Sequence, residues 1–312
     1  MFYVCPKGPI ERALRDSHVN YISLDKLNVK NMNRLIKKHK PDIIHAHDKF
    51  ASVVCALSRG RFTLISHIHG TFVEFSRVCF KSIIYLLCSF RFKKLVFVSF
   101  ETANSFVFKN ILKSKMVVLS NVIDATSIND KLSSDNNNYD IDVIFLGRLT
   151  FVKDPLRFVS IMGNVIKKKK DIKIAIVGNG VLYDDISEMI ISNGFENDIK
   201  LYGFMSNPFK ILKCSKLLCM TSKSEGTPMV ALEAMALGVP IVSTPVDGMN
   251  MLVKNGFNGF LSDDDSELED KVLEILNNSC LRDFLSSNSI DVFMDINNID
   301  NYKRVLMEMY SD

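Results

Sequence analysis

Two glutamates with seven residues between them, Glu225 and Glu233, stand in the segment TSKSEGTPMVALEAMALGVPIVSTP, from Thr221 to Pro245. A carboxylate accepts hydrogen bonds from hydroxyl groups, and a buried one is costly unless something donates to it. Between the two lies the start of a helix, whose free N–H groups form a ready anion site. One short segment thus offers two acceptors for sugar hydroxyls and a positive pole for phosphate. Upstream, FLGRLTFVKDP carries Arg148 and Lys153 with four residues between them. A planar fork and a point charge in that arrangement could clamp a diphosphate and neutralise the charge that develops as it departs.

The elements that must position these groups are read from local signals. Thr227 is a good N-cap, Pro228 suits the first helical position, Gly238 can turn left-handed past the end, and Pro240 stops continuation. A helix of about three turns is predicted, and its body MVALEAMAL, apolar apart from Glu233, belongs inside a larger protein. Gly178 and Gly180 follow a strand in IAIVGNG and let backbone approach a nucleotide closely. Tyr183 stands where the third glycine of G-x-G-x-x-G would be, so the dinucleotide fingerprint is incomplete. In SHIHGT, His67 and His69 share one strand face. HAHD, with His45, His47 and Asp48, invites a metal reading by composition. No fourth ligand at suitable spacing is visible, and no metal is expected.

The Ser-Glu-Gly-x-Pro turn, the second glutamate and the following Ala-x-Ala-x-Gly-x-Pro-x-Val resemble the nucleotide-sugar site of retaining glycosyltransferases of family 4, which have the GT-B fold. The resemblance implies two Rossmann-like, doubly wound parallel-sheet domains facing a cleft. It implies that Gly147, Arg148 and Lys153 bind the donor diphosphate, that Glu225 holds the sugar, and that Glu233 holds the ribose. It adds Gly178, Gly180, Gly226, Thr227, Pro228 and Met229 to the donor site, the backbone N–H groups of that turn among them, Gly203 and Phe204 to the base-contacting loop, and His69 to the cleft. Arg148, Lys153, Glu225 and His69 are the catalytic set it marks. The donor is UDP- or GDP-linked, with no separate cofactor. The chain departs from the pattern at its start, where the family's opening strand, Gly-rich loop and helix have no counterpart. It departs again at DGMNML, where Asp247 and Asn250 replace a Gly-Gly and a Glu.

At 312 residues, with 47% apolar and 24% charged residues, the chain has room for about two domains with real cores. Seven scattered cysteines without a C-x-x-C pair read as reduced thiols. Neither a signal-peptide pattern nor a run long enough to span a membrane is evident. A cytoplasmic place is expected, with peripheral contact at the inner face of the membrane. The net charge of +4 is divided unevenly: residues 1–140 carry 21 Lys and Arg against 11 Asp and Glu. From Arg77 to Lys94 an apolar stretch has basic flanks, which suits either an anionic membrane surface or an internal helix with a snorkelling rim. The run of lysines at 167–170 closes a helix, and Asp263 to Asp265 reads as a helix-capping loop. Nucleic acid is not an expected partner.

Apolar runs alternate with helical patterns along both halves, the signature of a parallel doubly wound sheet. The expected organisation is a shortened acceptor-side domain at 1–125, an Asn-rich linker at 126–140, a nucleotide-sugar domain at 141–290 and a terminal helix at 291–312 that packs back toward the first domain. The resemblance implies transfer of a sugar to a glycan hydroxyl in bacterial surface polysaccharide synthesis, with a lipid-linked acceptor. A non-catalytic nucleotide-sugar-binding partner is the competing reading. A dehydrogenase and a periplasmic binding protein fit less well.

Overall fold

The computed structural model describes residues 1–8, 10–70 and 74–311, which form two compact units. The first takes in Met1–Leu119 with Met307–Asp312, and the second Ser120–Leu306. Strands and helices alternate in both, as the apolar periodicity predicts.

In the first unit β1 (Tyr3–Pro6) and β2 (Tyr21–Leu24) form a parallel pair. A separate parallel sheet holds β3 (Ile43–His47), β4 (Thr63–Ile68), β5 (Lys94–Phe97) and β6 (Met116–Val118), in that order. No ladder joins the two sheets among the described residues. The first unit thus holds two separate parallel sheets. Its core gathers Leu64, Ile68, Leu95 and Phe97 with Tyr85, Phe92 and Phe106. Two buried serines and a buried tyrosine satisfy one another there: Ser66 Oγ lies 2.6 Å from both Ser52 Oγ and the Tyr85 hydroxyl.

The second unit is one parallel sheet of β7 (Ile141–Leu146), β8 (Ile174–Val177), β9 (Ile199–Gly203), β10 (Ser215–Met220), β11 (Ile241–Ser243) and β12 (Gly259–Leu261). Their spatial order is β12-β11-β10-β7-β8-β9. Successive side chains feed opposite cores: Ile144, Leu218 and Met220 join one, and Val143, Phe145, Leu217 and Cys219 the other. Both faces are covered by helices, which is why these strands read as unbroken apolar runs.

Two expectations are corrected. Residues 126–140 are not simply a linker, because Ala125–Ser133 is a helix capped by Asp124, whose carboxylate accepts from the Thr126 amide at 3.0 Å. Ile128 is buried, and Leu132, four residues on, packs against the same core, which anchors an otherwise polar helix. The helix of the glutamate segment is Met229–Ala236, shorter than three turns, with Pro228 rather than Thr227 at the cap position. Its end follows expectation, with Gly238 left-handed at φ 66°. Asp264 caps the helix Asp265–Asn277, as the acidic run predicts. No described helix is long and apolar enough to cross a membrane.

Candidate functional site

The sheet of the second unit changes direction between β7 and β10: β8 and β9 continue on one side, β11 and β12 on the other. At such a switch point the loops beyond the strand ends diverge and leave room for a ligand. The loop after β7 carries Gly147, Arg148 and Lys153, and the loop after β10 runs from Thr221 to Pro228. Hydrogen bonds stitch the two together. Thr221 Oγ1 donates to the Asp154 carbonyl at 2.8 Å, the Lys223 amide donates to the Val152 carbonyl at 2.8 Å, and Lys223 Nζ pairs with Asp154 Oδ2 at 2.8 Å.

Inside this seam Lys153 Nζ donates to Glu225 Oε1, and Ser222 Oγ donates to the same oxygen at 2.7 Å. Glu225 is only 9% exposed, so the ammonium and the hydroxyl offset its desolvation. Sequence reasoning gave Lys153 and Glu225 separate tasks; the structure makes them partners. Arg148 is exposed on the same loop. Ser222 was missed, although a hydroxyl three residues before a glutamate in a turn is the available signal.

Gly178 and Gly180 are also needed where two loops of the unit meet. A Cβ on Gly178, where φ is 148°, would fall 1.8 Å from the Gly147 carbonyl oxygen, and one on Gly180 would fall 2.3 Å from that of Leu149. The loop after β8 therefore lies directly on the loop that carries Arg148, held by Leu149 N–H to the Asn179 carbonyl at 3.0 Å. The Gly178 amide in turn donates to the Gly203 carbonyl at 2.8 Å, which ties in the β9 loop, where Phe204 is exposed. Gly248 makes an equally close approach, unforeseen in the sequence: its Cβ would stand 2.0 Å from the Gly226 carbonyl oxygen, and its amide donates to the Glu225 carbonyl at 3.3 Å.

Glu233 is half-buried on the helix Met229–Ala236. Burial pushes its carboxyl up to about 7, with the Lys131 ammonium pulling the other way. The Thr227 carbonyl just before this helix accepts from Asn121 Nδ2 at 3.3 Å. Gly226 and Thr227 thus lie on a turn braced by neighbours on both sides, followed by Pro228 at the cap and Met229 as the first residue of the helix.

His69, the remaining residue of the marked set, lies in the first unit. The register of β3 against β4 sets His47 opposite His67, and alternation brings His45 and His69 to the same face. Their rings stack, with His67 and His69 centroids 4.2 Å apart. His47 Nδ1 and His69 Nε2 share a 2.7 Å hydrogen bond, and His45 Nδ1 shares one of 2.7 Å with the Tyr310 hydroxyl. His67 is fully buried, with neither ring nitrogen partnered. Burial first, and the neighbouring imidazoles second, lower His45 to about 4 and His67 to about 2, so the stack is neutral at pH 7. The sequence showed no ligand set within one segment; strand register assembles three ligand atoms, from His45, His47 and His67, within 4.8 Å of one another.

Comparison with known proteins gives the family and the fold. The family model of glycosyl transferases group 1 matches residues 127–292, and that of Glycosyltransferase Family 4 matches residues 8–127. An uncharacterised glycosyltransferase of Methanocaldococcus jannaschii is 29% identical over 263 residues, 81% of this chain and 71% of that protein. The UDP-Gal:alpha-D-GlcNAc-diphosphoundecaprenol alpha-1,3-galactosyltransferase of Escherichia coli is 26% identical over 310 residues, 89% of this chain and 78% of that one. The crystal structure of Anabaena HepE in complex with UDP-glucose is similar with a TM-score of 0.85 at 18% identity, covering 99% of this chain and 91% of that one. The fold is GT-B.

Proposed function

This chain belongs to the glycosyl transferases group 1, and we propose that it moves a sugar from a UDP- or GDP-linked donor to a glycan hydroxyl with retention of configuration. The observation that carries the reading is the Lys153–Glu225–Ser222 group at the switch point of the second sheet. An ammonium held there by a carboxylate is poised to meet an arriving diphosphate, with exposed Arg148 beside it on the same loop. Glu225, relieved of its ammonium, then accepts from sugar hydroxyls. Glu233 accepts from the ribose, the amides of Thr227 and Met229, on either side of Pro228, face phosphate or sugar, and Phe204 contacts the base. His69 serves the acceptor side.

Catalysis in this scheme is positioning plus stabilisation of the leaving diphosphate by Arg148 and Lys153, without a side-chain nucleophile and without a metal. The E. coli relative, whose name carries a diphosphoundecaprenol acceptor, supports a lipid-linked acceptor; the process we propose is surface polysaccharide synthesis. Calorimetric titration with UDP, GDP and their glucose conjugates tests the donor site. The wild type is expected to bind one base preferentially, and Glu233→Ala and Arg148→Ala to bind at least about tenfold more weakly. A folded wild type that binds none of them would sink the assignment; binding without sugar transfer to any acceptor would support the non-catalytic alternative.

A further inference from the structure

A surface helix normally buries its apolar side and shows water its polar side. The helix Phe80–Ser89 is apolar on both sides, with Tyr85 and Cys88 in the core and Ile84 and Leu86 packed against it. Ser82, Tyr85, Cys88 and Ser89 are buried, with Ser82 and Ser89 satisfied by backbone carbonyls and Tyr85 by Ser66. Phe80, Ile83 and Leu87, with Phe90 just past the end, point outward at 78, 41, 65 and 63% exposure. Their spacing of three, four and three residues confines them to an arc of about 80° on a helix. The internal-helix reading of this segment therefore fails on its outer face.

Cations bracket the stripe. The Arg91 guanidinium donates to the carbonyls of Ala56, Ser58 and Gly60, at 2.7, 2.5 and 3.0 Å, which brings exposed Leu57, Arg59 and Arg61 to the Phe90 end. Lys115 Nζ reaches the Ser89 and Phe90 carbonyls there, at 3.1 and 3.0 Å. Exposed Arg77 marks the other end. Residues 1–119 as a whole carry 20 Lys and Arg against 7 Asp and Glu. A second copy docked on this face would set like charge against like, whereas an anionic surface meets both features at once.

We infer that the outer face of the helix Phe80–Ser89, continued by Phe90, docks on a bilayer leaflet rich in anionic lipid. The helix lies along the interface with Phe80, Ile83, Leu87 and Phe90 among the acyl chains and the surrounding cations at the headgroups. This inference rests on the surface of the first unit and is independent of the donor site in the second. Co-sedimentation of the full chain with phosphatidylcholine vesicles, with and without phosphatidylglycerol, tests it. Binding is expected to be at least about tenfold stronger to the anionic vesicles and to weaken with salt. The Phe80→Ser/Leu87→Ser/Phe90→Ser variant loses binding to them by about tenfold or more while keeping its UDP titration, and Arg59→Glu/Arg61→Glu loses the anionic preference. The inference is overturned by absence of wild-type binding, by unchanged binding in both variants, or by a wild-type dimer that the triple substitution turns into a monomer.

Discussion

Lys153 and Glu225 depend on each other before any ligand arrives. The carboxylate sits at 9% and the ammonium side chain at 19% exposure. Removing the ammonium strands a buried anion with only the Ser222 hydroxyl for support, and breaking such a pair from one side typically costs about 3 kcal/mol. Lys153→Ala should therefore both destabilise the second unit on that scale and weaken UDP binding at least tenfold, roughly the worth of a charge-assisted contact. Glu225→Gln keeps the shape and the Ser222 contact and frees the ammonium for phosphate. It should hold UDP affinity within a few-fold of the wild type while cutting sugar transfer by about a hundredfold or more. Equal loss of UDP affinity in both variants, followed by calorimetry, would show that the pair is purely structural.

At the scale of elements, the loops are held by glycines whose purpose is mutual contact. Gly178→Ala places a methyl 1.8 Å from the Gly147 carbonyl oxygen at a φ of 148°, so the loop bearing Arg148 must move. A loss on the order of 3 kcal/mol and weaker UDP binding are expected. Gly194, with φ 72° and open space around its Cβ position, is the control: Gly194→Ala should cost about 1 kcal/mol and leave UDP binding alone. Thermal denaturation read beside UDP titration separates the two. That contact explains what could be read early and what could not. Strand and helix order was legible because apolar period is local, and Gly238 announced its turn because left-handed backbone favours glycine. The partner of Gly178 lies 31 residues upstream and is itself a glycine, so no side chain announces it. The histidine stack depends likewise on β3–β4 register, and the helix Ala125–Ser133 on Ile128 and Leu132 amid polar neighbours.

Across the whole molecule, the two units respond to acid with opposite sign. In the first, His45 and His67 are lowered to about 4 and about 2 by burial and by one another, and His47 and His69 are lowered too. His45 and His67 stay neutral in the folded state between pH 7 and 5 while the unfolded chain takes up protons below about pH 6.5. Folding is thus weakened as pH falls from 7 to 5, by about 2 kcal/mol for each strongly lowered histidine. In the second unit Glu233 is raised to about 7 from an ordinary value of 4.5. Over the same interval the folded state takes up the proton and the unfolded state does not, so stability rises by about 2 kcal/mol. Glu74, held near 2 by Lys49 and Lys81, stays ionised in the folded state throughout this window. Calorimetric scans of the full chain at pH 7, 6 and 5 should therefore show the transition of the first unit moving down and that of the second moving up. Glu233→Gln should abolish only the upward movement, and His67→Phe should reduce only the downward one. Two transitions that fall together on acidification, in the wild type and in both variants, would contradict the neutral histidine stack and the raised Glu233 alike.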